Sequence, residues 1–155
     1  MWAHGRALRK LVPRSSHAEW TPGDDRRDPV AVVEAANDGR LQALVPIRHG
    51  RMATSAFAFY RGTADIMAAD LATTPASGLR AQICGDAHLS NFGAYASPER
   101  RLVFDQNDFD ETLPGPWEWD LKRLAASYAI ASRHNGHSRA DARAAVQSAV
   151  LAYAD

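Results

Sequence analysis

A chain of 155 residues is long enough for one domain with a sizeable core. Its 18 basic and 18 acidic side chains cancel, which argues against a general binder of nucleic acid or anionic membrane, because such proteins need a basic excess or patch. The single cysteine, Cys84, excludes an intrachain disulfide framework, and with neither a bilayer-length apolar run nor a signal-peptide pattern the expectation is a soluble cytoplasmic protein.

Residues 1–28 are rich in Arg, Ser, Pro and Asp and lack a sustained apolar period, so they read as a loosely held arm ahead of one domain over residues 29–155. Asp28-Pro29 predicts a helix N-cap with proline at the first helical position, and a short helix from Pro29 to about Asn37 that Asp38-Gly39 stops. Leu41 to Ile47 is a short apolar stretch whose type the pattern leaves open. Ser55 is placed to cap a helix over Ala56 to Leu71, with Tyr60, Ala64, Met67 and Leu71 on one face and Gly62 inside it. Thr73 to Gly78 reads as a loop.

Leu79, Ala81 and Ile83 alternate with Arg80, Gln82 and Cys84, which predicts a strand leading into Gly85-Asp86. Leu102-Val103-Phe104 predicts a second short strand after a turn at Ser97 to Arg100. The economical picture is a hairpin of these two strands with chemistry-bearing residues at its ends. Leu113-Pro114-Gly115-Pro116 reads as a rigid connector. A helix is expected from Trp117 to about His134, with Leu121, Leu124, Tyr128 and Ala131 toward the core and a left-handed cap at Asn135-Gly136. Ser138-Arg139-Ala140-Asp141 resembles a capping box and opens a last helix still running at Asp155. The expected class is α+β.

The chemistry concentrates in residues 85–110. Asp86 follows a strand and a glycine, where a side chain can project from a loop. Alone, it reads as a turn aspartate satisfying nearby amides. Asn91, five positions on, and Asp108, after the next apolar run, tip the reading toward catalysis. Kinase-type chemistry needs one carboxylate at the attacking hydroxyl, and an amide oxygen with a second carboxylate to hold magnesium against phosphates. Magnesium takes oxygen ligands and keeps waters, which suits Asn91 and Asp108, with Asp110 as a further candidate ligand.

Asp105, Asp108, Asp110 and Glu111 crowd one segment and repel unless a cation or a basic group compensates; the usual reading of such a run is a solvated loop, but Phe104 and Phe109 argue for anchorage. His88 reads first as a structural imidazole orienting the loop, and is kept as a candidate catalytic residue. Cys84 reads as a small buried side chain rather than a nucleophile. Asp120 suits a helix start, and the sharper reading makes it a buried brace that accepts backbone amides of the Asp86 loop. Arg61 is a candidate phosphate contact, with a surface ion pair equally open.

Cys84-Gly85-Asp86-Ala87-His88-Leu89-Ser90-Asn91 resembles the catalytic loop of aminoglycoside phosphotransferases and related kinase-like enzymes, His-Gly-Asp-Leu-His-x-x-Asn. Asn107-Asp108-Phe109-Asp110 resembles their metal-binding Ile-Asp-Phe-Gly/Asp, and Asp120-Leu121 the helix start that follows. The resemblance implies Asp86 as catalytic base, Asn91 and Asp108 as magnesium ligands and Asp120 as brace. Cys84 departs from it, standing where those enzymes carry His. The whole chain also resembles a bacterial family, domain of unknown function 2252. The resemblance runs over Leu44 to Arg48, Arg51-Met52, Phe57 to Gly62, Cys84 to Gly93 and Phe104 to Pro116.

Members of that family look longer, so the chain is expected to be a fragment matching their N-terminal part and to contact a C-terminal portion. No G-x-G-x-x-G occurs here, and neither Lys10 nor Lys122 sits in a strand-like setting, although a kinase needs both devices on its phosphates. The resemblance implies a partial protein-kinase-like fold. For the intact protein it implies a phosphotransferase using ATP and Mg2+ on a small-molecule or protein hydroxyl, with no nucleic-acid or membrane partner. The alternatives are a metal-dependent phosphoesterase, with Gly-Asp-x-His and Asp108 with Asp110 at two metals, and a non-catalytic pseudo-enzyme or scaffold.

Overall fold

The computed structural model describes residues 2–154. The described residues form an α+β fold of seven α-helices and two small antiparallel sheets. Helix α1 (Trp2–Leu11) lies within the expected arm, and its side chains are mostly exposed. A 3-10 turn at Arg14–Ala18 follows, and Arg26 ties the end of the arm to Asp70 through two hydrogen bonds of 2.6 and 2.8 Å.

Helix α2 (Pro29–Ala35) starts as its sequence predicts: the Asp28 carboxylate accepts the Ala31 N–H at 3.0 Å. The apolar stretch after it becomes a 3-10 turn (Gln42–Leu44) running into α3 (Val45–Met52). Ser55 caps α4 (Ala56–Arg61) by accepting the Ala58 N–H at 3.0 Å. The single helix expected over 56–71 is two, because α4 ends at Gly62 and α5 covers Ala64–Leu71. The Thr63 hydroxyl turns back onto the carbonyls of Phe59 and Tyr60, 3.0 and 3.2 Å away. Any Cβ on Gly62 would lie 2.8 Å from the Met52 sulfur, so the break is also where α3 packs against the chain.

Strand pairing departs from the expected hairpin. β1 (Arg80–Ile83) pairs antiparallel with β4 (Leu113–Pro116), the segment read as a connector, and β2 (Phe92–Ala96) pairs with β3 (Leu102–Gln106). Pro114 and Pro116 share one parity of the β1–β4 ladder, which is how an edge strand carries residues without an N–H. Gly115 is buried there because Ile83 fills the place of its side chain: a Cβ would stand 2.5 Å from Ile83 Cδ1. The hairpin is β2–β3, and the turn at Ser97 to Arg100 closes it, with Ser97 N–H donating to the Arg101 carbonyl at 2.8 Å.

Helix α6 (Glu118–His134) ends in a Schellman motif. Gly136 has φ +77°, His137 N–H donates to the Ser132 carbonyl (3.0 Å), and Gly136 N–H donates to that of Arg133 (3.1 Å). The capping box of α7 (Arg139–Ala154) is reciprocal, with Asp141 N–H donating to Ser138 Oγ (3.2 Å) and Ser138 N–H to Asp141 Oδ2 (3.3 Å). The buried face of α6 is not the one the apolar residues suggest. Glu118, Arg123, Ser127, Ala131 and Ser132 are buried, while Leu121, Leu124 and Tyr128 are half-buried. The centre of the molecule is therefore polar, and α6 presents an arginine to it.

Candidate functional site

The loop after β1 is built on a glycine. Gly85 has φ +85°, and a Cβ there would collide with the Glu111 carbonyl, so the chain turns sharply into Asp86 against the acidic segment. Asp120 at the start of α6 braces this turn: its carboxylate accepts the N–H of Cys84 at 2.7 Å and of Gly85 at 3.1 Å. Burial raises the Asp120 carboxyl above its usual range, and those two N–H groups and Arg123 pull the other way. The Cys84 thiol donates to the Asp108 carbonyl at 2.9 Å, and burial pushes it up to about 11. It is therefore a packed thiol, not a nucleophile at neutral pH.

Asn91 closes the loop from the other end. Its Nδ2 donates to the Asp86 carbonyl at 2.9 Å, which fixes the amide, and among the described residues its Oδ1 accepts no hydrogen bond. The Asn107 N–H donates to the Asn91 carbonyl at 3.0 Å, and Gly93 lies close against the Asn107 side chain. The segment carrying Asp108 is thereby tied to the loop carrying Asp86 and Asn91. Asp108 is half-buried and Asp110 exposed. Glu111 registers the crowding: burial, then Asp86, Asp108 and Asp110, all raise its carboxyl. Among the described residues, no group of three or more His, Cys, Asp or Glu side chains is arranged to hold a metal ion. Magnesium gripped by one amide oxygen, one carboxylate and phosphate oxygens needs no such group, and the donors on Asn91 and Asp108 have the right chemistry for it.

Asp86 itself is buried, and its principal partner is a residue the sequence reading passed over. Arg123 on α6 donates through Nε to Asp86 Oδ1 at 2.5 Å, and its Nη2 forms an ion pair with the same oxygen. That Nη2 also donates to the Tyr60 carbonyl at 2.9 Å, the guanidinium lies 4.4 Å from the Tyr60 ring centroid, and the Tyr60 hydroxyl donates to the Arg123 carbonyl at 2.7 Å. Burial pushes the Tyr60 phenol up to about 12. The available signal was the stripe 120, 123, 127, one residue out of phase with the apolar 121, 124, 128, on which Asp120 already stood.

His88 is 3 % exposed, with Nε2 3.6 Å from Asp86 Oδ2, too far for a hydrogen bond, and among the described residues its Nδ1 has no partner. Burial first, then Arg123 and Arg61, lower its pKa against the pull of Asp86, so the ring is mainly neutral at pH 7. Arg61 is exposed at the end of α4 and acts on His88 through its charge. The loop is completed from α6 by Ser127, whose Oγ accepts the Leu89 N–H at 3.0 Å.

Fold and site together define an α+β chain in which a braced loop and an acidic segment are laid on a long helix through a buried Asp–Arg pair. The chain belongs to the family described as an uncharacterized protein conserved in bacteria (DUF2252), which matches residues 40–155. No curated protein and no solved structure matches it. No described helix is long and apolar enough to cross a membrane.

Proposed function

We propose that this chain carries the base-and-metal half of a kinase-like phosphotransferase that moves the γ-phosphoryl group of ATP to a hydroxyl of a small molecule or protein. The observation that carries this reading is the bracing of the Asp86 loop. The Asp120 carboxylate holds the two N–H groups just before Asp86, as the resemblance implies for that position, while the Asn91 amide is locked with its oxygen uncommitted.

In this reading Asp86 Oδ1 belongs to Arg123 and Oδ2 faces the acceptor. The acceptor oxygen forms its bond to the γ-phosphorus as the bridging oxygen leaves with ADP, and the hydroxyl proton passes to Oδ2. Asn91 Oδ1 and the Asp108 carboxylate would hold Mg2+, which neutralises charge developing on the phosphates. Asp110 would be a further ligand, and Asp105 would assist from outside the ligand set. Calorimetric titration of ATP with and without Mg2+ tests the reading: the magnesium-dependent gain in affinity disappears in Asp108→Asn. A chain whose ATP affinity ignores both Mg2+ and that substitution sinks it.

A second reading has its own observation. The Asp86 side chain is only 10 % exposed and is paired to a buried guanidinium, the arrangement of a structural aspartate in a scaffold or pseudo-enzyme. Asp86→Asn separates the two: loss of phosphoryl transfer with nucleotide binding retained supports the enzyme, and indifference supports the scaffold.

A further inference from the structure

A cavity of about 680 Å³ lies away from the Asp86 carboxylate, between the end of α2, α3 and α4. Four arginines line it: Arg40 after α2, Arg48 and Arg51 one turn apart on α3, and Arg61 at the end of α4. No acidic residue lines it, and among the described residues none of the four makes an ion pair. By contrast Arg26, beside a second cavity of about 180 Å³, makes two bonds to Asp70.

Like charges one turn apart repel, so the cluster costs stability unless something anionic enters. Arg48 is also aimed by the fold. Its Nη2 donates to the Gly62 carbonyl at 2.6 Å and its Nη1 to Asn37 Oδ1 at 3.3 Å, which holds one edge of the guanidinium. The same groove has an apolar wall: Leu41, Leu44 and Ile47 are 74, 53 and 52 % exposed. A volume of this size is that of a small-molecule site, within about 300–1,000 Å³. Guanidinium forks match phosphate oxygens in pairs, and the aliphatic wall suits an apolar or aromatic body.

We propose that this groove binds a small organic phosphate, its phosphate or polyphosphate head on Arg40, Arg48, Arg51 and Arg61 and its apolar body on Leu41, Leu44 and Ile47. The inference stands on the groove alone and needs neither magnesium nor turnover, so it can hold where the phosphotransfer reading fails.

Magnesium-free calorimetry with ATP, tripolyphosphate and adenosine on the intact chain tests it. ATP binds more tightly than tripolyphosphate, and both bind far more tightly than adenosine. Arg40→Gln and Arg51→Gln, exposed positions whose variants are checked for folding by circular dichroism, each weaken ATP about tenfold, an effect matching the loss of one charge-assisted contact. Leu44→Ala weakens ATP but not tripolyphosphate. Three results overturn the proposal: no binding of ATP or tripolyphosphate at millimolar concentration, equal ATP affinity in the Arg40→Gln/Arg51→Gln double variant, or sedimentation with phosphatidylglycerol vesicles without affinity for either soluble phosphate.

Discussion

Arg123→Met gives the sharpest test of the polar centre. The substitution keeps length and apolar stem but removes the guanidinium that meets Asp86 Oδ1, the Tyr60 carbonyl and the Tyr60 ring. Asp86 is then a buried carboxylate without its cation. Breaking a buried pair from one side costs about 3–5 kcal/mol, most of it the unpaired charge rather than the lost contact. At about 2–4 °C per kcal/mol for a chain of this size, the melting temperature falls by roughly 10 °C or somewhat more. The assay is urea unfolding followed by tryptophan fluorescence, for Arg123→Met, Asp86→Leu and the double variant. Removing both charges leaves neither of them buried and unpaired, so the double variant is more stable than the sum of the single losses predicts by about 2 kcal/mol. A loss under about 1 kcal/mol for Arg123→Met, or strict additivity in the double variant, would refute the claim that this pair organises the loop.

Gly85→Ala forces a side chain onto a left-handed backbone and into the Glu111 carbonyl, so it destabilises by more than about 2 kcal/mol, read as a lower urea midpoint. Asp120→Ala frees the Cys84 and Gly85 N–H groups, and hydrogen exchange at those two amides accelerates ahead of exchange in α6. His88 has a folded pKa below its unfolded value of about 6.5, so its contribution is complete above that pH and is lost as pH falls toward the folded pKa. Stability measured from pH 7.5 downward falls less steeply in His88→Gln than in the wild type; parallel curves would mean that the buried ring resists no proton.

What the sequence made legible was local. Asp28, Ser55, Gly136 and the Ser138–Asp141 pair each act within a few residues through one or two hydrogen bonds, and each does what its type at that spacing predicts. Asp120 as a brace was also readable, because its place in the motif predicts its partners. Strand pairing was not: β1 joins a partner some thirty residues on, and nothing in Leu113-Pro114-Gly115-Pro116 looks like a strand until Ile83 is seen filling the space over Gly115. Nor was the close approach of Met52, from another helix, to Gly62 at the helix break readable locally. Arg123 was missed for a different reason. A search for apolar periodicity selects Leu121 and Leu124, and here the buried stripe is polar because an anionic loop lies on it. Nor does balanced charge over the whole chain reveal where charges gather, as the four arginines lining one cavity show.

Zero net charge conceals a division of charge across one short segment. Arg61 and Gly62 line the arginine groove, while Tyr60 holds the arginine that pairs with Asp86, around which the carboxylates of Asp108, Asp110 and Glu111 gather. The carbonyls at the C-terminal end of α4 serve both: that of Tyr60 accepts Arg123, which holds Asp86, and that of Gly62 accepts Arg48, which points into the groove. A helix C-terminus is where cations are favoured, so one helix end orients an arginine toward each half. Gly62 cannot take a side chain without displacing Met52, and Thr63 locks the same turn through its hydroxyl. The Tyr60 carbonyl thus takes the Thr63 N–H (3.2 Å) and the Arg123 guanidinium together, so the turn that breaks the 56–71 helix and the arginine that holds Asp86 meet at one oxygen.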